Sequence, residues 1–243
     1  MAVGSKSFPQ DIPSESHLSS QPTIGNAGVA ASHSFLGISP ISQVAIGYGL
    51  LIATLWTPSG PYRSVCMILA CSWLLLFTFG AACSRRELGL GAPSREGASR
   101  ILAVGLIVAG AIPLIAILAG QRVPANPGWP PVRDVWQYVV WAMAQQFILQ
   151  SFFYVRLESA LGGQRAVLAA TVLFAAAHLP NLVLTAGTFV AALFFCEMFR
   201  RYRSIYPLGL VHAALGLALA ESIPDHLIHH LRVGIGYLHF HVH

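Results

Sequence analysis

Three glutamines, two histidines and one glutamate are the side chains of this 243-residue chain that combine chemical capacity with an apolar setting. Gln145, Gln146 and Gln150 lie within one apolar run, and His178 follows Phe174 by four residues, with Pro180 and Asn181 just beyond. His212 sits in the stretch 208–216, and Glu197 is the acidic residue furthest inside the long apolar block 166–199. Polar groups in hydrocarbon cost several kcal/mol unless they are paired, so each is a candidate for function. On a helix Gln146 and Gln150 share a face, while Gln145 lies about 100° away.

Each group also has a plain structural role open to it. Amides cross-link neighbouring helices, a membrane histidine can be a satisfied packing group, and Glu197 has Arg200 and Arg201 three and four residues on as ion-pair partners. Taken together, however, a glutamine cluster and two histidines on separate spans can converge on one wet cavity. Peptide hydrolysis in a membrane needs that convergence: a base to take a proton from water, and donors to hold the oxyanion of the tetrahedral intermediate.

The elements that must position these groups follow from composition. Hydrophobic residues make up 55% and charged residues 9% of the chain, against about 25% charged in an ordinary soluble domain. That excludes a typical cytosolic globule. The net charge of +5 comes from basic residues scattered singly or in short groups, a topological signal with no nucleic-acid patch. Cys66, Cys71, Cys83 and Cys196 show no CxxC spacing and lie in apolar stretches, so they read as buried thiols with no disulfide framework or zinc cage.

Apolar runs at 35–56, 64–83, 101–120 and 135–157 approach the roughly 20 residues needed to cross a bilayer. The block 166–199 is too long for one span. Its interruptions at Pro180 and Asn181 and at Thr185 to Gly187 suggest two short helices joined by a tight turn. A last run covers 205–223. The expectation is an all-α polytopic transmembrane bundle of about seven spans over 34–223. A serine- and proline-rich disordered tail precedes it at 1–33, and a His-rich tail follows at 224–243.

The tail at 1–33 lacks the form of a cleavable signal peptide, so the first span reads as an uncleaved anchor. Arginines gather in alternate loops: 85–100, then Arg156 and Arg165, then Arg200, Arg201 and Arg203. This places those loops and the amino terminus in the cytoplasm. The proline-rich stretch 121–134 reads as an interfacial connector. The lipid bilayer is the expected environment, and no nucleic acid is expected as a partner.

The order of motifs resembles the CPBP family of intramembrane endopeptidases, the CAAX-processing and bacteriocin-processing or Abi family. That family carries Glu-Glu-x-x-x-Arg, Phe-x-x-x-His and His-x-x-x-Asn on three separate transmembrane helices. Here the first motif reads Gln145, Gln146 and Gln150, the second is intact from Phe174 to His178, and the third keeps His212 but has Gly216 in place of asparagine. The likeness covers roughly 135–220.

The resemblance implies endopeptidase chemistry on a membrane-associated protein or peptide, with no cofactor. It also implies roles: water activation at Gln145 with help from His178, and oxyanion stabilisation at His212 and position 216. A carboxamide orients water but is far too weak a base to accept its proton, and glycine offers no side-chain donor. General-base help is worth about 10²- to 10⁴-fold and an oxyanion donor about 10²- to 10³-fold.

Three readings therefore stand. The chain is a degenerate member, a pseudoenzyme that binds a hydrophobic or lipidated peptide as an adaptor; or it remains a peptidase, with His178 itself or Glu197 as base; or it uses histidines to bind metal. For the last reading His226, His229, His230, His239, His241 and His243 supply imidazoles, although no HExxH motif is present. The family's distribution points to a bacterial inner membrane.

Overall fold

A computed structural model describes residues 35–120 and 132–239 of the protein. The tail 1–33, almost all of the proline-rich connector and the last four residues lie outside the described residues. The chain is an all-α membrane helix bundle: α1 (Pro40–Trp56), α2 (Pro61–Gly80), α3 (Arg95–Leu118), α4 (Val132–Gln146), a π-helical segment (Phe147–Tyr154), α5 (Val155–Leu161), α6 (Gly163–Ala176), α7 (Leu182–Tyr202) and α8 (Tyr206–Ser222). Two short turns of helix, α9 (Asp225–Ile228) and α10 (Ile235–Leu238), flank a 3₁₀ turn at His229–Leu231.

Local sequence sets the helix starts. Ser39, Ser94 and Asn181 each accept a hydrogen bond from the backbone N–H three residues on, satisfying donors that the first helical turn leaves open. Pro40, Pro61 and Pro207 occupy first-turn positions, where a missing N–H costs nothing.

Three helices, α2, α3 and α7, are long and apolar enough to cross a membrane, and α1 and α6 are shorter apolar helices. Their outer faces carry large exposed hydrophobic residues: Ile68 and Phe79 on α2, Ile107 and Leu118 on α3, Leu182 and Val190 on α7. Such continuous apolar exposure suits hydrocarbon and not water.

The break within 166–199 falls at 177–181, and Thr185 to Gly187 lies inside α7. The second half is thus a full 21-residue helix, not the short one expected. The Asn181 cap starts a new helix immediately after Pro180, whereas one glycine within an apolar helix is tolerated.

The core forms around the π segment, where Leu149, Phe152 and Tyr154 are fully buried, together with Cys196 and Phe199 of α7 and Leu208 and Val211 of α8. A second difference from the sequence reading concerns Arg156. It does not sit in a polar loop but is 1% exposed. Its Nε donates to Gln43 Oε1 at 2.8 Å, and its other nitrogens donate to the carbonyls of Ser151, Phe152 and Phe77. A buried guanidinium is retained because five donors in a fixed fork meet acceptors from three elements.

The remaining arginine-rich segments do meet at one end of the bundle. Arg203 pairs with Glu158 at 2.5 Å, Arg100 donates to the Tyr202 hydroxyl at 3.1 Å, and Ile205 N donates to Gly89 O at 3.1 Å. The carboxyl-terminal segment packs elsewhere, against the start of α7. Asn181 Nδ2 donates to Ile228 O at 2.8 Å, and Gly234 N donates to Leu179 O at 2.9 Å. His229 stacks on Tyr237 with ring centroids 4.2 Å apart. Among the described residues no three histidine, cysteine, aspartate or glutamate side chains gather as a metal would need. His241 and His243 lie outside them.

Candidate functional site

Helix α8 carries one side of the site and packs against α4. Gly209 and Gly216, seven residues apart, lie on nearly one face of α8. A Cβ at Gly209 would collide with the Met143 side chain, and one at Gly216 with the Tyr138 hydroxyl. Small residues thus let the two helices approach closely. The pairing is antiparallel: moving from Tyr138 to Met143 along α4 corresponds to moving from Gly216 back to Gly209 along α8.

That approach brings His212 to the glutamine cluster. Gln146 Nε2 lies 3.2 Å from His212 Nδ1, and Gln150 Nε2 donates to Gln146 Oε1 at 3.2 Å. Because an amide nitrogen only donates, Gln146 fixes His212 Nδ1 as the acceptor. The imidazole proton is thereby placed on Nε2, which becomes a donor. Gln150 also reaches the Cys196 sulfur of α7 at 3.8 Å, and its Oε1 is buried without a hydrogen-bond partner among the described residues. The turn that carries these amides departs from α geometry: Gln150 belongs to the π segment, a distortion frequent at functional sites.

His178 lies in the turn after α6. Its Nδ1 is 2.8 Å from the Phe174 carbonyl oxygen. A carbonyl can only accept, so Nδ1 carries the proton and the lone pair of the neutral ring is on Nε2. The two histidines therefore have opposite polarity, a base at His178 and a donor at His212. The Phe174 ring joins them, with centroid distances of 5.1 Å to His178 and 6.1 Å to His212. Phe195 closes the other side of His212 at 5.4 Å.

The structure does not bring every candidate in. Glu197 faces its own helix end: its oxygens accept from Arg200 Nε and Nη2, both at 2.8 Å, and from Arg201 Nε at 2.5 Å. With both oxygens engaged by arginines, Glu197 is removed as a replacement base, the outcome its spacing to those arginines already allowed. Gln145 is half-buried and has no hydrogen-bond partner among the described residues. A surface cleft of about 540 Å³ opens elsewhere, lined by Ser84, Arg86, Glu87, Val155, Glu158, Ser159 and Arg203, and holds none of the candidates.

With three motif-bearing helices shown to meet, the match to known families becomes informative. Residues 127–218 match the family model described as Rce1-like, type II CAAX prenyl endopeptidase Rce1-like. The match supports the resemblance to the CPBP family over this segment. No curated protein and no solved structure matches the chain. The matched segment runs from the connector before α4 into α8 and contains every motif position. The matched segment carries the glutamines and both histidines. The protein is an integral membrane protein related to CAAX-type intramembrane proteases.

Two contributors escape a motif reading. Tyr138 lies seven residues before Gln145, so helical periodicity places it on the same face of α4, but only the packing shows it filling the notch at Gly216. Cys196 reads as an ordinary buried thiol until Gln150 is seen to reach it.

Proposed function

We propose that the protein is an intramembrane endopeptidase acting on a membrane-associated protein or peptide, with His178 as the general base in place of the family's glutamate. The observation that carries this reading is the His178 Nδ1 hydrogen bond to the Phe174 carbonyl, which leaves Nε2 as a basic lone pair on a ring that shares the Phe174 side chain with His212. His178 Nε2 takes a proton from water as the water oxygen bonds to the scissile carbonyl carbon, and the carbonyl π pair moves onto its oxygen. The His212 Nε2–H stabilises that oxyanion. Collapse re-forms the carbonyl and breaks the C–N bond, and the departing amine takes the proton held by His178.

The amides play supporting parts. Gln146 holds the His212 tautomer, and Gln150 holds Gln146. A lipidated peptide ending in a CAAX sequence is the substrate class suggested by the family description, and the bilayer delivers it. The arginine-rich end of the bundle is assigned to the cytoplasm, and a bacterial inner membrane is the setting that fits the family.

The test is cleavage of a farnesylated CAAX peptide by the purified full chain in lipid vesicles, with products identified by mass spectrometry. The wild-type protein is expected to cut, and His178→Ala to lower kcat by about 10²- to 10⁴-fold. If neither protein cuts while both retain the peptide, the peptidase reading is overturned in favour of binding alone.

A further inference from the structure

The family's third motif ends in a donor that this chain lacks at Gly216, and the packing shows what stands there instead. A Cβ added at Gly216 would fall on the Tyr138 hydroxyl and on the adjacent ring carbons. The phenol oxygen thus occupies the space where a side chain at position 216 would begin. His212 and Gly216 are four residues apart on α8, one turn along one face, a rise of about 6 Å. The oxyanion donor at His212 and the Tyr138 hydroxyl therefore line the same seam between α4 and α8. Among the described residues no hydrogen bond engages this hydroxyl. A phenol is a competent neutral donor at physiological pH, and it needs no proton transfer to stabilise an oxyanion.

We infer that Tyr138 is a catalytic residue, the second oxyanion donor, supplied from α4 to replace the one absent from α8. The inference rests on the peptidase reading above. In the tetrahedral intermediate the carbonyl oxygen accepts two hydrogen bonds, one from His212 Nε2–H and one from the Tyr138 hydroxyl. No bond to Tyr138 forms or breaks. The glycine at 216 is then a requirement of the arrangement, since any larger residue would displace the hydroxyl.

Tyr138→Phe keeps the ring in the glycine notch and removes only the hydroxyl, so a mere packing role would leave every readout unchanged. Two measurements on the full chain in lipid vesicles decide the matter. In the cleavage assay Tyr138→Phe is expected to lower kcat by about 10²- to 10³-fold with KM within about twofold. In a binding assay, a phosphinic peptide that mimics the tetrahedral intermediate should bind Tyr138→Phe more weakly by a similar factor, while the parent peptide, measured in the His178→Ala background, binds equally with and without the hydroxyl. The double variant Tyr138→Ala with Gly216→Asn should recover part of the lost activity.

Wild-type kcat and wild-type phosphinate affinity in Tyr138→Phe overturn the inference. Should the wild-type chain fail to cut at all, the function reading falls, and the phosphinate comparison still decides the role of Tyr138 by itself.

Discussion

Gln146 Nε2 lies 3.2 Å from His212 Nδ1, so a residue of the first motif dictates which nitrogen of the third-motif histidine carries the proton. Gln150 holds the Gln146 amide in that orientation by donating to its oxygen. Two glutamines with no acid–base chemistry of their own thus set the polarity of an imidazole across a helix interface.

Replacing Gln146 by leucine should release that tautomer. The expected result is a drop in kcat of about tenfold or more with KM nearly unchanged, because an interaction strongest in the transition state is lost. Nitrogen NMR of the His212 ring should move from the Nε2–H form to a mixture of tautomers. An unchanged ring spectrum would show that Gln146 does not set the proton position.

Gln145→Glu restores the carboxylate that the family carries at the first motif. The side chain is nearly isosteric, half-buried and without a partner among the described residues, so the exchange disturbs no observed contact. Turnover should rise by about tenfold or more, since a carboxylate base adjoining water is worth about 10²- to 10⁴-fold over none. Equal or lower activity in a folded protein would show that position 145 does not reach the reacting water.

Glu197→Gln tests the residue that the geometry removes from the site. Its carboxylate binds Arg200 and Arg201, a partly exposed ion pair of the kind worth about 0–1 kcal/mol. Cleavage should stay within about twofold of wild type, and thermal stability should change little. A loss of activity comparable to that of His178→Ala would return Glu197 to the mechanism.

Arg156→Met leaves the Phe77 and Phe152 carbonyls without the guanidinium donors they face in the core. Unpaired buried acceptors cost about 1–3 kcal/mol, so a lower midpoint of thermal unfolding in detergent is expected. The peptide affinity of the protein that remains folded should be unaltered. An unchanged midpoint would mean that repacking or water satisfies these acceptors.

Apolar run length is a property of the chain read one window at a time, and it was enough to state an all-α membrane bundle. The order of Phe174, His178 and His212 with the glutamines was likewise enough to name the family, because motif spacing on helices survives the loss of individual side chains. Helix breaks were less legible. Thr185 to Gly187 resembles an interruption in sequence, but the Asn181 cap decides where α7 begins, and capping depends on geometry at one residue.

Arg156 looked like a loop cation because a window of sequence does not show which acceptors a folded core will offer. Tertiary structure alone decided the direction of each group. The spacing of Glu197 to Arg200 and Arg201 favoured an ion pair over a role as base, and the fold gives its carboxylate to the arginines. Tyr138 and Gly216 are 78 positions apart, and only the close antiparallel approach of α4 and α8 places a phenol where an asparagine is usual. The backbone pattern is local and therefore written in the sequence, whereas the proton positions at His178 and His212 depend on which acceptors and donors folding sets beside them.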